Sequence, residues 1–154
     1  MTLLRQANAP ILSRLTYVSR AKPDLSSEDL KEILGAARLN NQRSGITGML
    51  CFNNRYFLQT IEGARGELSN LLNRLSGDNR HFDIQVLDSR EITRRSWSEW
   101  SMNYASPTRE NKHIFMKHSP SASFNPYLLS AAGAESLLTE LHELNENKRR
   151  ALSA

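Results

Sequence analysis

Apolar and polar positions alternate through residues 14–20, RLTYVSR, the period-two pattern of a strand with two different faces. After the turn-like AKPDLSS the period changes. Leu30, Ile33, Leu34 and Ala37 fall at i, i+3, i+4 and i+7, which predicts an amphipathic helix to about Asn40. Ser26 followed three residues later by Asp29 supplies a capping-box pattern at its start. Two strand-like runs come next, ITGMLCFN and RYFLQTIE, joined at Asn53-Asn54, a pair that tolerates the positive φ of a tight hairpin. Gly63 is expected to end the second run. Leu68, Leu71, Leu72 and Leu75 then stripe a second helix over about 65–77. DIQVLDSREI and SWSEWSMNYA read as two further strands, separated by TRR.

The element order is therefore β-α-β-β-α-β-β. Two helices, each with one apolar stripe, cover one face of a mixed sheet in the ferredoxin-like α+β arrangement. The strands are apolar on both faces, however: Met49, Leu58 and Val86 interleave with Leu50, Phe57 and Leu87. A second cover is required. Residues 106–125 are rich in Ser, Pro and polar side chains, with a short helix expected around 110–117. Asn125-Pro126 then has the form of an N-cap with proline at the first helical position. The helix expected from there carries Ala134, Leu137, Leu138, Leu141 and Leu144 on one stripe. These C-terminal helices are expected on the other face of the sheet, or against a partner subunit. The expected division is a domain over residues 1–104 and a helical extension over 105–154.

Polar side chains interrupt this pattern at informative places. Gln59 shares a strand face with Phe57 and Ile61, and an unpartnered buried amide costs about 1–3 kcal/mol. Asn41 ends the stripe of the first helix and Asp78 that of the second, with Arg80 and His81 immediately after. Tyr17 and Ser19 share a face of the first strand; Trp100 and Met102 share a face of the last. Each has an ordinary explanation: a helix cap for Asn41, an i, i+4 surface pair with Arg74 for Asp78, core packing for Tyr17, Trp100 and Met102. Together they frame a slot between two helices and a sheet, with aliphatic walls from Ile33, Ala37, Leu71 and Leu75 and polar groups at its ends. That suits a flat, hydrogen-bonding heterocycle.

Composition narrows the class. The 154 residues fit one domain with an appendage, and no stretch is apolar enough to span a bilayer. One cysteine, Cys51, excludes an intrachain disulfide and a multi-cysteine zinc site, and the N-terminus lacks a signal-peptide block. A cytoplasmic protein without membrane attachment is expected. A net charge of +4 keeps nucleic acid in view, but the basic residues are scattered and Lys148 to Arg150 complement a helix C-terminus. Nucleic acid is therefore not the expected partner.

The motifs LTYVS (15–19), LNNQRSGITGML (39–50), YFLQTIEG (56–63), GDNRH (77–81) and RRSWSEWSM (94–102) closely resemble, in order, those of the BLUF domain, a flavin-binding blue-light sensor of ferredoxin-like fold. With its C-terminal helices, the short chain is similar to stand-alone BLUF proteins, which have no fused output enzyme. The resemblance implies a sensor rather than an enzyme, and a flavin held between the two helices, FAD with FMN as the alternative. It implies Tyr17 as photochemical electron donor and Gln59 as the residue bonded to both Tyr17 and the flavin. Asn41, with Asn40 in the same shell, would hold the ring's carbonyl and imide edge. Arg74, Asp78, Arg80 and His81 would sit near the pyrimidine end or the ribityl-phosphate, with Ile33, Ala37 and Leu75 against the ring. Trp100, Met102 and Ser19 would relay the signal. Under blue light Tyr17 would give up an electron and, through Gln59, a proton; Gln59 would be left rotated or tautomerised, and the visible band would move to the red. The implied partners are a downstream signalling protein and further copies of the chain. Trp97 departs from the family's frequent phenylalanine and adds an aromatic able to donate an electron unproductively.

Three rival readings fit the pattern less well. An RNA-recognition module would place aromatics in a set pattern on an exposed sheet face, and MLCFNNRYF lacks it. A phosphoryl- or acyl-transferring enzyme would need a phosphate-cradling glycine-rich loop, which the chain lacks. A plain oligomerisation module leaves the polar slot unexplained.

Overall fold

A computed structural model describes residues 11–105, 111–120 and 123–153. Residues 1–10, 106–110, 121–122 and 154, including the first residue of the expected short helix, lie outside the described part. The sheet has five strands, β1 (Leu12–Ala21), β2 (Thr47–Phe52), β3 (Tyr56–Ala64), β4 (His81–Glu91) and β5 (Trp100–Tyr104), in the order β4-β1-β3-β2-β5. The inner pairs are antiparallel, and β5 joins β2 in parallel. Helices α1 (Ser27–Arg43) and α2 (Arg65–Ser76) cover one face; α3 (Lys112–His118) and α4 (Ala131–Ser153) belong to the other.

The period-two strands explain why both faces need cover. Leu15, Tyr17 and Ile61 pack under α2 with Leu68 and Leu71, while Leu50, Phe52 and Phe57 lie with Leu30 and Leu34 of α1. Val18, Met49, Cys51 and Leu58 point the opposite way, into a core closed by Ile114, Phe115, Leu137, Leu138 and Leu141. The sheet thus has a helical layer on each side, as expected from its two apolar faces.

Local chemistry sets most boundaries. Ser26 accepts from Asp29 N and Asp29 accepts from Ser26 N, the complete capping box at α1. The β2–β3 turn differs from the expected positive-φ pair: Asn53 Oδ1 takes the backbone N–H of both Arg55 and Tyr56 at 2.8 Å, and Asp83 is the only non-glycine with positive φ among the described residues. An Asx turn does with one side chain what a left-handed backbone pair would have done. Gly63 does not end β3, which continues to Ala64. Asn125 and Pro126 do start a helical turn, but only the short 3₁₀ turn Pro126–Leu128; α4 begins at Ala131, where Ser130 Oγ accepts from Gly133 N. Residues 96–99, expected as strand, are a loop.

The reason for that loop is a buried carboxylate that the sequence pattern did not single out. Glu62, on the back face of β3, is 0 % exposed. It accepts from Arg14 at 2.6 and 2.9 Å, and from the backbone N–H of Ser96 and Trp97 at 2.8 and 3.0 Å. Arg95 adds bonds to Thr47 Oγ1 and the Glu62 carbonyl. The β4–β5 loop is thereby pinned to the sheet and delivers Trp100 into β5.

Candidate functional site

The site begins with strand register. Tyr17 of β1 and Leu50 of β2 are both Cα partners of Gln59, and Met102 of β5 is the partner of Leu50. Gln59 therefore sits mid-sheet between a phenol and β2, facing the helical layer of α1 and α2. Its Nε2 donates to the Tyr17 hydroxyl at 2.6 Å, and its Oε1 accepts from Trp100 Nε1 at 2.8 Å. A primary amide has two N–H donors and two acceptor lone pairs, so one of each remains. The phenol accepts from the amide and keeps its own proton for another partner. Burial pushes the Tyr17 phenol far above its ordinary range, against a smaller opposing effect of the Gln59 bond.

Above Gln59 lies a slot between α1 and α2. Tyr17, Gln59, Leu50 and Phe57 form its floor; Ile33, Ala37, Leu71 and Leu75 form its walls; Ser19, Asn41 and His81 complete it. Asn41 is the only fully buried residue of α1, as a stripe-ending polar residue over a sheet should be. Its Oδ1, the Ser19 hydroxyl and both His81 ring nitrogens are buried with no hydrogen-bond partner among the described residues. Each such group costs roughly 1–3 kcal/mol if left unpaired. Desolvation holds the His81 pKa below the ordinary 6.5, with the Arg80 charge pushing the same way and Asp78 opposing, so the ring is neutral at pH 7. An apolar slot with amide, phenol, hydroxyl and neutral imidazole groups converging on it matches a planar heterocycle with alternating donor and acceptor edges. A flavin ring fits this donor set.

Not every expected residue reaches the slot. Asn40 and Arg74 are exposed on the outer sides of their helices. Asp78 pairs not with Arg74 but with Arg80, at 2.7 to 3.2 Å through both carboxylate oxygens. Two residues in a tight turn hold that fork better than two flexible side chains one helical turn apart. The guanidinium bonds hold the Asp78 carboxyl below the usual range. Asp78 and His81 line an adjoining surface hollow, so His81 stands between hollow and slot. Met102 is half-buried among Leu50, Phe52 and Phe57, while Trp100 takes the bond to Gln59. Trp97 lies in the layer on the far side of the sheet, edge-on to His142 at 5.1 Å between ring centroids. Leu50 is the floor residue the sequence did not yield, although counting back from the hairpin would have set it beside Gln59.

Comparison with known proteins identifies the arrangement. Residues 12–103 match the model of the BLUF family, described as sensors of blue light using FAD. The chain belongs to the BLUF family. The photoactivated adenylate cyclase subunit beta of Euglena gracilis is 36% identical over 95 residues, which is 61% of this chain but 11% of that protein. The chain thus spans about a tenth of the length of these curated relatives. Among solved structures, the photo-activated state of BlsA superposes with a TM-score of 0.74 at 30% identity, covering 85% of this chain and 94% of that one. Klebsiella pneumoniae BlrP1, solved with FMN and cyclic diGMP, gives a TM-score of 0.55 at 31% identity, covering 62% of this chain and 26% of that one. BLUF is a sensor family that uses flavin, and the five-stranded α+β fold agrees with it. No described helix of this BLUF protein is long and apolar enough to cross a membrane.

Proposed function

We propose that this BLUF protein is a blue-light photoreceptor in which Tyr17 is the photochemical donor and Gln59 the switch. The observation that carries the reading is the chain Tyr17–Gln59–Trp100, an amide held between a phenol and an indole beside an apolar slot. A bound flavin supplies the blue-absorbing, electron-accepting chromophore. Asn41 and His81 would hold its polar edge, Ile33, Ala37, Leu71 and Leu75 its faces, and Asp78 and Arg80 its exit; Asn40 and Arg74 would join by turning inward. Because burial raises the Tyr17 phenol so far, Tyr17 does not lose its proton first; the electron, whose loss makes the phenol strongly acidic, leaves before the proton or with it.

Gln59 has two ways to stand. As observed, its carbonyl faces Trp100 Nε1–H. Reversed, its carbonyl would accept from Tyr17, and its NH₂ would face the indole N–H, donor against donor. Trp100 must then give up that bond and shift. Reversal of one amide is thus converted into movement of a large side chain on β5, with Met102 and Ser19 beside it.

We take FAD as the cofactor, as the family description has it, with FMN the alternative, since BlrP1 holds it. We further propose that the chain works in the cytoplasm as a homo-oligomer and passes its signal to a separate protein. The deciding experiment is the visible spectrum of the purified protein. A flavin band that moves red under blue light and returns in darkness is the expected result; a protein that takes up no added flavin sinks the proposal.

A further inference from the structure

A larger concavity than the slot lies elsewhere. It is an open groove of about 880 Å³ between the C-terminal end of α1 and the β4–β5 loop, lined by Arg38, Gln42, Arg95, Trp97, Glu99 and Trp100. We infer that this groove binds a short acidic, partly apolar segment of a partner protein, and that Trp100 makes the binding light-dependent. The second half rests on the photoreceptor reading above.

Three observations carry it. The first is charge. Arg38 is exposed and has no ion pair among the described residues. Both hydrogen bonds of Arg95 leave from Nη1, so its Nε and Nη2 remain free to donate. The one acidic liner, Glu99, is paired with Arg149 at 3.5 Å. Two guanidinium groups suit carboxylates bidentately. The lining carboxylate disfavours a polyphosphate backbone, which needs an unbroken run of cations.

The second is preorganisation. Glu62 fixes the backbone of Ser96 and Trp97, and Arg95 is tied to β2 and β3. A wall held this firmly costs little to order on binding. Tryptophan and arginine are also the side chains most enriched where protein partners are gripped.

The third is linkage. Trp100 is at once a groove wall and the hydrogen-bond donor to Gln59. A donor-against-donor contact at Nε1 displaces the indole from Gln59, and with it one wall of the groove. The lit indole no longer presents the wall that receives the segment in darkness, so illumination weakens binding.

The test uses the full flavin-loaded chain and a short peptide of alternating Glu and Leu carrying a red-absorbing dye, titrated by anisotropy in darkness and under blue light. Saturable dark binding is expected, weakened about fivefold or more in the light. Arg38→Glu should weaken dark binding about tenfold, with the flavin band and its red shift unchanged, and Arg38→Lys should restore most of it. Equal binding of a matched Lys-Leu peptide, wild-type affinity in Arg38→Glu, or preference for a single-stranded oligonucleotide overturns the groove assignment. If the wild type binds the peptide but shows no red shift, the photoreceptor reading fails and the groove stands. If the red shift is present and affinity is the same in both states, the link through Trp100 is wrong.

Discussion

Gln59 holds two partners of opposite demand, a phenol oxygen that accepts and an indole nitrogen that donates. An amide can meet both only because it carries both kinds of group, and a rotated amide can meet only one. Gln59→Leu removes both bonds in similar volume, so flavin should remain bound while the light-induced red shift is lost. Tyr17→Phe keeps the ring and removes the hydroxyl: the flavin band should persist and the shift should fall to background in a difference spectrum. His81 yields a prediction in pH. Its folded pKa lies below the ordinary 6.5, chiefly through burial, so between the two values the unfolded chain binds more protons than the native one. Stability should therefore be level above about pH 6.5 and fall as the pH drops below it. Thermal melts across that range should show this fall in the wild type and a shallower dependence on pH in His81→Gln. The residues of this triad were legible as polar interruptions of apolar stripes. Their bonds to one another were not, because the Tyr17–Gln59 and Gln59–Trp100 contacts join positions 42 and 41 apart.

At the level of elements, what repeats locally was readable and what is closed by distant partners was not. The stripes of α1, α2 and α4 follow from their spacing, and the capping box at Ser26 sits where its two residues say. The length of β5 depends on Glu62, more than thirty positions upstream of the loop it holds, and no periodicity in SWSE reports that. The Asn125-Pro126 signal was genuine but served a single 3₁₀ turn before the chain re-entered helix at Ala131. β2 contains the described glycine with the least room for a side chain. Gly48 has φ +142, and a Cβ there would enter the van der Waals shell of the Thr60 carbonyl oxygen. It also donates its N–H to the Glu99 carbonyl at 3.1 Å, next to Trp100. Gly48→Ala should cost about 3 kcal/mol or more, through strain and overpacking together, and denaturant titration would measure it.

On the scale of the whole molecule, one sheet separates two layers with different tasks. The back layer is apolar and continuous, running from Val18 and Cys51 to Phe115 and Leu141, and its burial pushes the Cys51 thiol up to about 12, which makes it inert at neutral pH. The front layer is closed only in part: Ile33, Leu34 and Ala37 of α1 are half-buried over polar groups that lack partners. A ligand filling that side should stabilise the entire fold by mass action. With flavin at about 100 times its Kd the gain is roughly 2.7 kcal/mol. For a chain of this size that should raise Tm by about 5–10 °C, as calorimetry of stripped and reloaded protein would record. A Tm independent of flavin concentration would show that the slot contributes nothing to folding.

The alternation of β3 extends this division to single positions. Phe57, Gln59 and Ile61 look toward the α1–α2 side, and Leu58, Thr60 and Glu62 look back into the core and the Arg14 pair. A saturation library across this strand, sorted once for soluble yield and once for colour change under a blue lamp, should separate two phenotypes with a period of two. Even-numbered substitutions should lose yield; at 57 and 59, odd-numbered ones should mostly keep yield and lose the response to light. A heritable light sense and a heritable fold would then be interleaved along nine consecutive residues, Tyr56–Ala64, and able to vary almost independently.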